Sequence, residues 1–153
     1  MVIRFRSLFI VTLVLAGCTG SDDGGGDIVD ATLSGKIGGQ AWTFQTGATD
    51  AFLSGGDGDF FAALYAAPYA PCGTSAPSGP HLLVSVPKQP GDYDLSLMRN
   101  ITFVVDGSNN LISLQGQVVV ESVTATTVTG GLRTKRDDGN DVNGHFQLTI
   151  CPE

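Results

Sequence analysis

Apolar and polar residues alternate along most of the chain from about residue 28 onward. In residues 29–37 the apolar and small residues share one parity, and Trp42 and Phe44 share a parity in the run that follows. Alternation with a period of two is typical of a strand with one buried face. Gly38-Gly39 lies between the two runs, and both central positions of a type I′ turn need positive φ. The pattern therefore predicts a β-hairpin with Trp42 pointing inward.

Similar runs predict further strands, and turn-forming residues separate them. Residues 59–67 carry apolar side chains on both parities, so we expect a strand that is buried on both faces, although the alanines also permit a helix. Residues 112–120 alternate without interruption, so we expect one long strand with Ile112 and Leu114 inward and Ser113 outward. Other strands are expected within residues 82–86, 91–95, 101–105, 126–134 and 146–150. About eight or nine strands without helical periodicity predict an all-β fold, as a single antiparallel β-sandwich or β-barrel-like domain.

The first 18 residues follow a different pattern. Arg4 and Arg6 precede an apolar run over residues 8–16, and small residues then lead to Cys18. This order is typical of a secretory signal peptide, and the run is shorter than the roughly 20 residues that span a bilayer. A buried core segment is the alternative interpretation.

Leu15-Ala16-Gly17-Cys18 resembles the lipobox of bacterial lipoproteins. The resemblance implies that Cys18 is lipidated, that cleavage removes residues 1–17 as a signal peptide, and that the new N-terminus is acylated. Several acyl chains would give lasting membrane attachment. In such lipoproteins an Asp after the Cys often signals retention in the inner membrane, whereas Thr19 stands here. The resemblance thus implies a lipid-anchored protein of the outer membrane, facing the periplasm or the cell surface.

Charge and composition bound the mature chain. The formal charge of −7 becomes −9 once Arg4 and Arg6 are removed. Such a balance argues against nucleic-acid binding and predicts a solvated acidic surface. Residues 21–27 contain Gly, Asp and Ser and no apolar side chain. We therefore expect residues 18–27 to be a flexible tether and residues 28–153 to be one domain.

Cys72 and Cys151 remain after Cys18 is assigned to the lipid. An even pair in an exported chain predicts a disulfide bond. It would also explain residues 68–80, a long irregular connection with four prolines. A metal-binding or catalytic thiol is the alternative, although no further ligands cluster around either cysteine.

A second resemblance covers landmarks between residues 33 and 150. Their order resembles that seen in small uncharacterised bacterial lipoproteins, which are abundant in Bacteroidetes and other Gram-negatives. The landmarks are Gly35-Lys36-Ile37-Gly38-Gly39-Gln40-Ala41-Trp42, the turn and strand over residues 90–95, residues 127–130 and residues 143–146. The resemblance implies an all-β domain of unknown function and supplies no catalytic residues. The cysteine pair departs from the commonest form of that family.

The sequence offers little for catalysis. A nucleophile–base pair needs a Ser or Cys beside a His, and the two histidines, His81 and His145, lie in no recognisable motif. We therefore expect no enzyme activity and no catalytic residue. An envelope hydrolase that acts through a carboxylate pair or a His is the alternative.

Two residue groups are candidates for binding. Asp137, Asp138, Asn140 and Asp141 crowd one loop and could offer oxygens to Ca²⁺, although they lack EF-hand spacing and ordinary turns also favour these residues. Tyr65, Tyr69 and Tyr93 could stack against a glycan, because Trp42 and most phenylalanines have core parity. We expect no required cofactor. The predicted role is non-enzymatic, as a domain that binds a glycan or an envelope protein or that supports the envelope structurally; a Ca²⁺-stabilised glycan-binding module is a further alternative.

Overall fold

The computed structural model describes residues 26–56 and 58–152. The predicted signal peptide and Cys18 lie outside these residues. The described chain forms the strands β1 (Ser34–Ile37), β2 (Gln40–Thr43), β3 (Thr46–Thr49), β4 (Asp59–Tyr65), β5 (His81–Pro87), β6 (Gly91–Asp94), β7 (Ile101–Val104), β8 (Asn110–Ser113), β9 (Gly116–Val123), β10 (Thr127–Asp137) and β11 (Asn140–Thr149). Within these ranges no helix is present, and hence none that is long and apolar enough to cross a membrane.

All eleven of these strands belong to one curled sheet, which confirms the all-β fold. The hydrogen-bonded order is β6-β9-β10-β11-β3-β4-β5-β7-β8, and the β1–β2 hairpin joins it where β1 pairs with β11. β8 is at one edge and β9 is one strand from the other, yet only Leu114 and Gln115 connect them. The sheet must therefore curl into a half-barrel. The hydroxyl of Thr134 on β10 lies 2.8 Å from both the hydroxyl of Ser113 on β8 and the carbonyl oxygen of Gln115.

The expectation of a strictly antiparallel sheet is wrong, because β11 and β3 pair in parallel, with Thr149 opposite Ala48. The cause lies in the N-terminal hairpin. β1 is antiparallel to β11, so β2, which returns along β1, runs parallel to β11. The chain then passes through Phe44 and Gln45 into β3 without a turn, and β3 keeps the direction of β2.

One hydrophobic core fills the curled sheet. It combines residues from both halves, such as Leu64 and Leu82 on β4 and β5 with Val118 and Leu132 on β9 and β10. Each fully buried Leu or Val contributes about 1.5–3 kcal/mol relative to an exposed one. The inward positions expected for residues 126–134 and 146–150 agree with this core, except that Ile150 is only partly buried.

Residues 112–120 do not form one strand. Ile112 is 53% exposed and Ser113 only 2% exposed, which reverses the expected orientation of β8. The parity changes in the connection at Leu114 and Gln115, after which Val118 points inward as expected. Burial of Ser113 is tolerated because its hydroxyl is hydrogen-bonded to Thr134.

Two further expectations are corrected. In β4 the residues Phe60, Ala62 and Leu64 are buried, whereas Phe61 and Ala63 are half-buried on the outer face, so the strand is not buried on both faces. The N-terminal hairpin has its turn at Gly38-Gly39, with φ of 60° and 77°, as predicted. Its first strand begins only at Ser34, however, because Thr32 instead forms an isolated parallel bridge with His145 on β11.

Candidate ligand-binding site around Tyr65

Residues 66–80 form a loop that crosses the outer face of the sheet. The loop leaves β4 after Tyr65, and its Cys72 is bonded to Cys151, 79 positions later in the chain. The backbone N–H of Cys151 donates to the hydroxyl of Thr49 at 2.9 Å, at the other end of the β3–β4 pair. The loop therefore runs back along the strands, and the expected Cys72–Cys151 disulfide is confirmed.

A cleft of about 300 Å³ lies between this loop and the sheet, and it is called the loop cleft below. The outer face of β3, β4 and β5 forms its floor, and the loop and the disulfide form its wall. The lining residues are Ala48, Thr49, Asp50, Phe61, Ala63, Tyr65, Tyr69, Cys72, Gly73, Ala76, Leu83 and Cys151. Small-molecule sites have volumes of about 300–1,000 Å³ and combine apolar walls with a few polar groups, as this cleft does.

Two of the three tyrosines expected to contact a ligand meet in the loop cleft. The rings of Tyr65 and Tyr69 pack edge to face, with centroids 5.3 Å apart. Tyr65 also stacks on His81 at 4.7 Å, and Nδ1 of His81 donates to the carbonyl of Gly79 at 2.9 Å. Tyr65 is only 7% exposed, whereas Tyr69 is half-buried. Tyr69 therefore presents the more accessible ring.

Burial changes the acidity of both phenols. It raises the pKa of Tyr65 above its usual value of 10.0. The pKa of Tyr69 is raised by burial first and then by charge repulsion from Tyr65. Both side chains are therefore neutral at physiological pH, where their hydroxyls can donate and accept hydrogen bonds.

A second cleft of about 320 Å³, the hairpin cleft, lies on the other side of Tyr65. The β1–β2 hairpin and the end of the loop bound it, and its lining is mostly apolar. The indole Nε1 of Trp42 donates to the carbonyl of Pro80 at 3.2 Å, which ties the hairpin to the loop. Tyr65 lines both clefts.

Tyr93 lies apart from this pair, on the edge strand β6. Its ring packs under the guanidinium of Arg99, 4.8 Å from the ring centroid, and its hydroxyl donates to the carbonyl of Gln89 at 3.0 Å. These contacts place Tyr93 in the packing between β6 and the β6–β7 loop. The structure thus separates the three tyrosines into a pair and a single residue.

The proposed calcium loop is a tight hairpin turn between β10 and β11. Asp137 Oδ1 accepts from the backbone of Gly139 and from the side chain of Asn140, each at 2.9 Å. Asn140 Oδ1 in turn accepts from the backbone of Gly38 at 2.8 Å, and Asp138 pairs with Lys135 at 3.0 Å. Asp141 lies within β11, opposite Lys36 on β1 and Lys135 on β10. The turn itself uses one side-chain oxygen each of Asp137, Asp138 and Asn140. No group of three or more His, Cys, Asp or Glu residues that could hold a metal ion occurs within residues 26–56 and 58–152.

Hydrogen bonds and ion pairs surround several titratable groups of the described residues. His145 Nδ1 lies 2.9 Å from Oε1 of Glu121, and both side chains are well exposed on the outer surface. Hydrogen bonds lower the pKa of Asp106, chiefly from Ser108, and that of Asp137, chiefly from Asn140. A lowered carboxyl pKa is the opposite of what a general acid requires.

No protein-family model matches the chain, and no curated protein or solved structure matches it. The resemblance to bacterial lipoproteins therefore stays a prediction from the sequence.

Sequence reasoning did not identify the floor of the loop cleft. Phe61 on β4 and Leu83 on β5 line the cleft from the outer face of the sheet. Both are apolar residues on the outward parity of an alternating strand. That pattern was available in the sequence, but it does not indicate which segment covers the residues.

Proposed function

We propose that this chain is an exported lipoprotein, anchored to the outer membrane through lipidated Cys18, whose β domain is a non-enzymatic binding module. Its ligand site is the loop cleft. The observation that carries the binding role is the loop of residues 66–80, held over the outer face of the sheet by the Cys72–Cys151 disulfide. Because the disulfide restrains one wall, little conformational entropy is lost when a ligand enters.

Export is supported by the same bond. Structural disulfides persist in oxidising compartments such as the periplasm and the cell surface. The signal-like order of basic, apolar and small residues before Cys18 agrees with such a compartment. Two features of the chain, the N-terminal signal-like segment and the Cys72–Cys151 bond, therefore favour the same location.

The lining of the loop cleft favours a neutral glycan. Tyr69 offers a partly exposed ring next to its edge-to-face partner Tyr65, and aromatic faces pack against the apolar faces of sugars. Asp50 at the far end supplies a carboxylate oxygen for hydroxyl groups. The net charge of −9 after signal removal disfavours anionic ligands such as nucleic acids.

The binding role is tested by thermal unfolding of the full chain in detergent with neutral envelope oligosaccharides. A ligand at 100 times its Kd stabilises the protein by about 2.7 kcal/mol, which corresponds to a rise in Tm on the order of 10 °C. Tyr69→Ala should abolish the rise. Tyr93→Ala is the matched control, because it removes a tyrosine ring outside the cleft and should leave the rise intact. A rise that survives Tyr69→Ala, or no rise with any oligosaccharide, contradicts the assignment. Parallel Ca²⁺ and EDTA samples test the turn over residues 137–141.

The anchor is tested separately by mass spectrometry of the membrane-extracted chain. We expect an N-terminus at Cys18 that carries acyl groups. The Cys18→Ser variant should not be processed as a lipoprotein and should carry no acyl groups. An intact N-terminus without added lipid would exclude the lipoprotein assignment while leaving the glycan test unaffected.

A further inference from the structure

Two loops expose large apolar side chains at the same end of the domain. In the β3–β4 loop Phe52 is 92% and Leu53 is 56% exposed, and in the β6–β7 loop Leu97 is 79% and Met98 is 90% exposed. These four residues, called the apolar tips below, bury little area within the domain. They therefore contribute little to its stability, and their exposure marks an interaction surface.

An ion pair joins the two loops, and a lysine between β5 and β6 also holds the β3–β4 loop. Arg99, next to Met98, donates two hydrogen bonds to the carboxylate of Asp59 at the end of the β3–β4 loop, at 2.9 and 3.1 Å. Lys88 donates to the carbonyls of Ser54 and Gly56 in the same loop, each at 2.5 Å. These contacts therefore restrain the two loops that carry the apolar tips.

Two backbone groups of the tips, the N–H of Leu53 and the carbonyl of Leu97, are hydrogen-bonded within their own loops. The N–H of Leu53 donates to Asp50 Oδ1 at 2.8 Å, and the N–H of Ser54 donates to the carbonyl of Asp50 at 2.9 Å. In the other loop the carbonyl of Leu97 accepts from the side chain of Asn100 at 3.3 Å. A backbone group that is satisfied internally costs less to move into an apolar medium.

We infer that the apolar tips insert into the surface of the lipid bilayer that carries the anchor. This inference rests on the proposed lipidation of Cys18. The apolar tips lie on exposed loops and line neither of the two clefts. Such an arrangement suits contact with the fluid acyl chains of a bilayer. The cations beside them, Lys88 and Arg99, are engaged within the protein, so the contact is apolar and does not depend on anionic lipid.

The length of chain outside the structure allows this orientation. Gly26 is eight positions after Cys18, and a chain of that length spans at most about 29 Å. The N-terminal segment lies at Asn143 on β11, where the Asn143 side chain donates to the carbonyl of Asp27. Thr149 pairs with β3 just before the β3–β4 loop. The distance from Asn143 to Thr149 along β11 is about 20 Å. The anchor can therefore reach the level of the apolar tips.

The test uses tryptophan substitutions in the full, anchored chain, reconstituted in vesicles of dioleoylphosphatidylcholine with or without brominated acyl chains. Phe52→Trp and Met98→Trp should each show blue-shifted emission that bromine quenches at least twofold. Asn109→Trp, in the β7–β8 turn at the other end of β7, should show neither effect. The native Trp42 is buried and provides a constant background. The quenching should be the same in 0.1 M and 1 M salt.

Absence of quenching at both loop positions would overturn the inference, as would equal quenching at all three. A dimer that Phe52→Ser dissolves, observed together with unquenched emission, would assign the tips to a second copy of the chain. If the proposed lipidation of Cys18 is wrong, mass spectrometry will instead show a chain without acyl groups. Quenching with externally added vesicles then still decides whether the tips enter lipid.

Discussion

The guanidinium of Arg99 donates two hydrogen bonds to the carboxylate of Asp59, 40 residues away in sequence. Both side chains are about three-quarters buried. Charged, two-point hydrogen bonds of this kind are stronger than exposed ion pairs. This pair joins the start of β4 to the β6–β7 loop.

Asp59→Ala should lower the free energy of unfolding by about 2 kcal/mol, because it leaves the largely buried guanidinium of Arg99 without its acceptor. Urea denaturation measures the change. The matched control is Asp138→Ala, which breaks the exposed ion pair with Lys135 and should cost less than about 0.5 kcal/mol. Equal losses in the two variants would show that burial does not strengthen the Arg99–Asp59 pair.

Removing the disulfide should destabilise the domain strongly. For the 79-residue separation of Cys72 and Cys151, the chain-entropy relation gives about 4.5 kcal/mol as an upper figure. The double variant Cys72→Ser/Cys151→Ser should therefore have a much lower urea midpoint, and the loop cleft should lose its ligand. An unchanged midpoint would mean that other contacts hold the loop in place.

Gly116→Ala should be more harmful than Gly39→Ala. Both glycines have positive φ, of 128° and 77°, so each substitution carries a backbone cost of about 1–2 kcal/mol. At Gly116 the added Cβ would also lie 2.1 Å from the carbonyl oxygen of Arg133, whereas nothing lies within 4 Å at Gly39. We expect an additional loss of about 2 kcal/mol at Gly116, measured by thermal or urea unfolding. Similar losses at the two sites would contradict this close packing of β9 on β10.

The stability of the domain should fall at alkaline pH. The pKa values of Tyr65 and Tyr69 are raised in the folded protein, so the unfolded chain releases these protons first, at about pH 10. Their contribution is complete below pH 10 and is lost as the pH rises through the folded values. Urea unfolding between pH 8 and 11 should show this loss, and Tyr65→Phe/Tyr69→Phe should reduce it. Tyr93→Phe keeps both cleft tyrosines and should retain it.

The turn at Asp137 should make the stability of the domain fall at acidic pH. Its pKa is lowered by hydrogen bonds from Asn140 and Gly139, so the carboxylate stabilises the folded chain above the usual carboxyl pKa near 4. That contribution is lost as the pH falls through the folded value. Asp137→Asn should therefore be less stable than the natural chain at pH 7, with the difference shrinking below pH 4. A constant difference across this range would argue against the charged hydrogen bonds.

Local patterns predicted the elements that depend on nearby residues. Gly38-Gly39 produced the expected turn, and Val128, Leu132, Phe146 and Leu148 point inward as their alternation indicated. The even number of remaining cysteines was enough to predict the disulfide. These features follow from chain geometry or from counting, and they need no knowledge of distant contacts.

The features that sequence reasoning missed depend on distant partners. Ser113 is buried because Thr134, 21 residues later, accommodates its hydroxyl, so the alternation over residues 112–120 indicated the wrong face for β8. The parallel pairing of β3 depends on the path of the chain through β1 and β2. The loop cleft exists because a disulfide draws the loop across Phe61 and Leu83. In each case the sequence pattern indicated whether a position is polar or apolar, but it did not indicate which distant residue contacts that position.

The disulfide also has a topological consequence. It closes a covalent ring that contains β5 to β11, whereas β3 and β4 lie outside the ring. Within the sheet, however, β3 and β4 stand between β11 and β5, so they join two groups of ring strands that do not otherwise pair. An oxidised fragment starting at Cys72 would hold both groups covalently without a continuous sheet. The strands β3 and β4 are thus an internal part of the sheet, between strands that belong to the disulfide-closed ring.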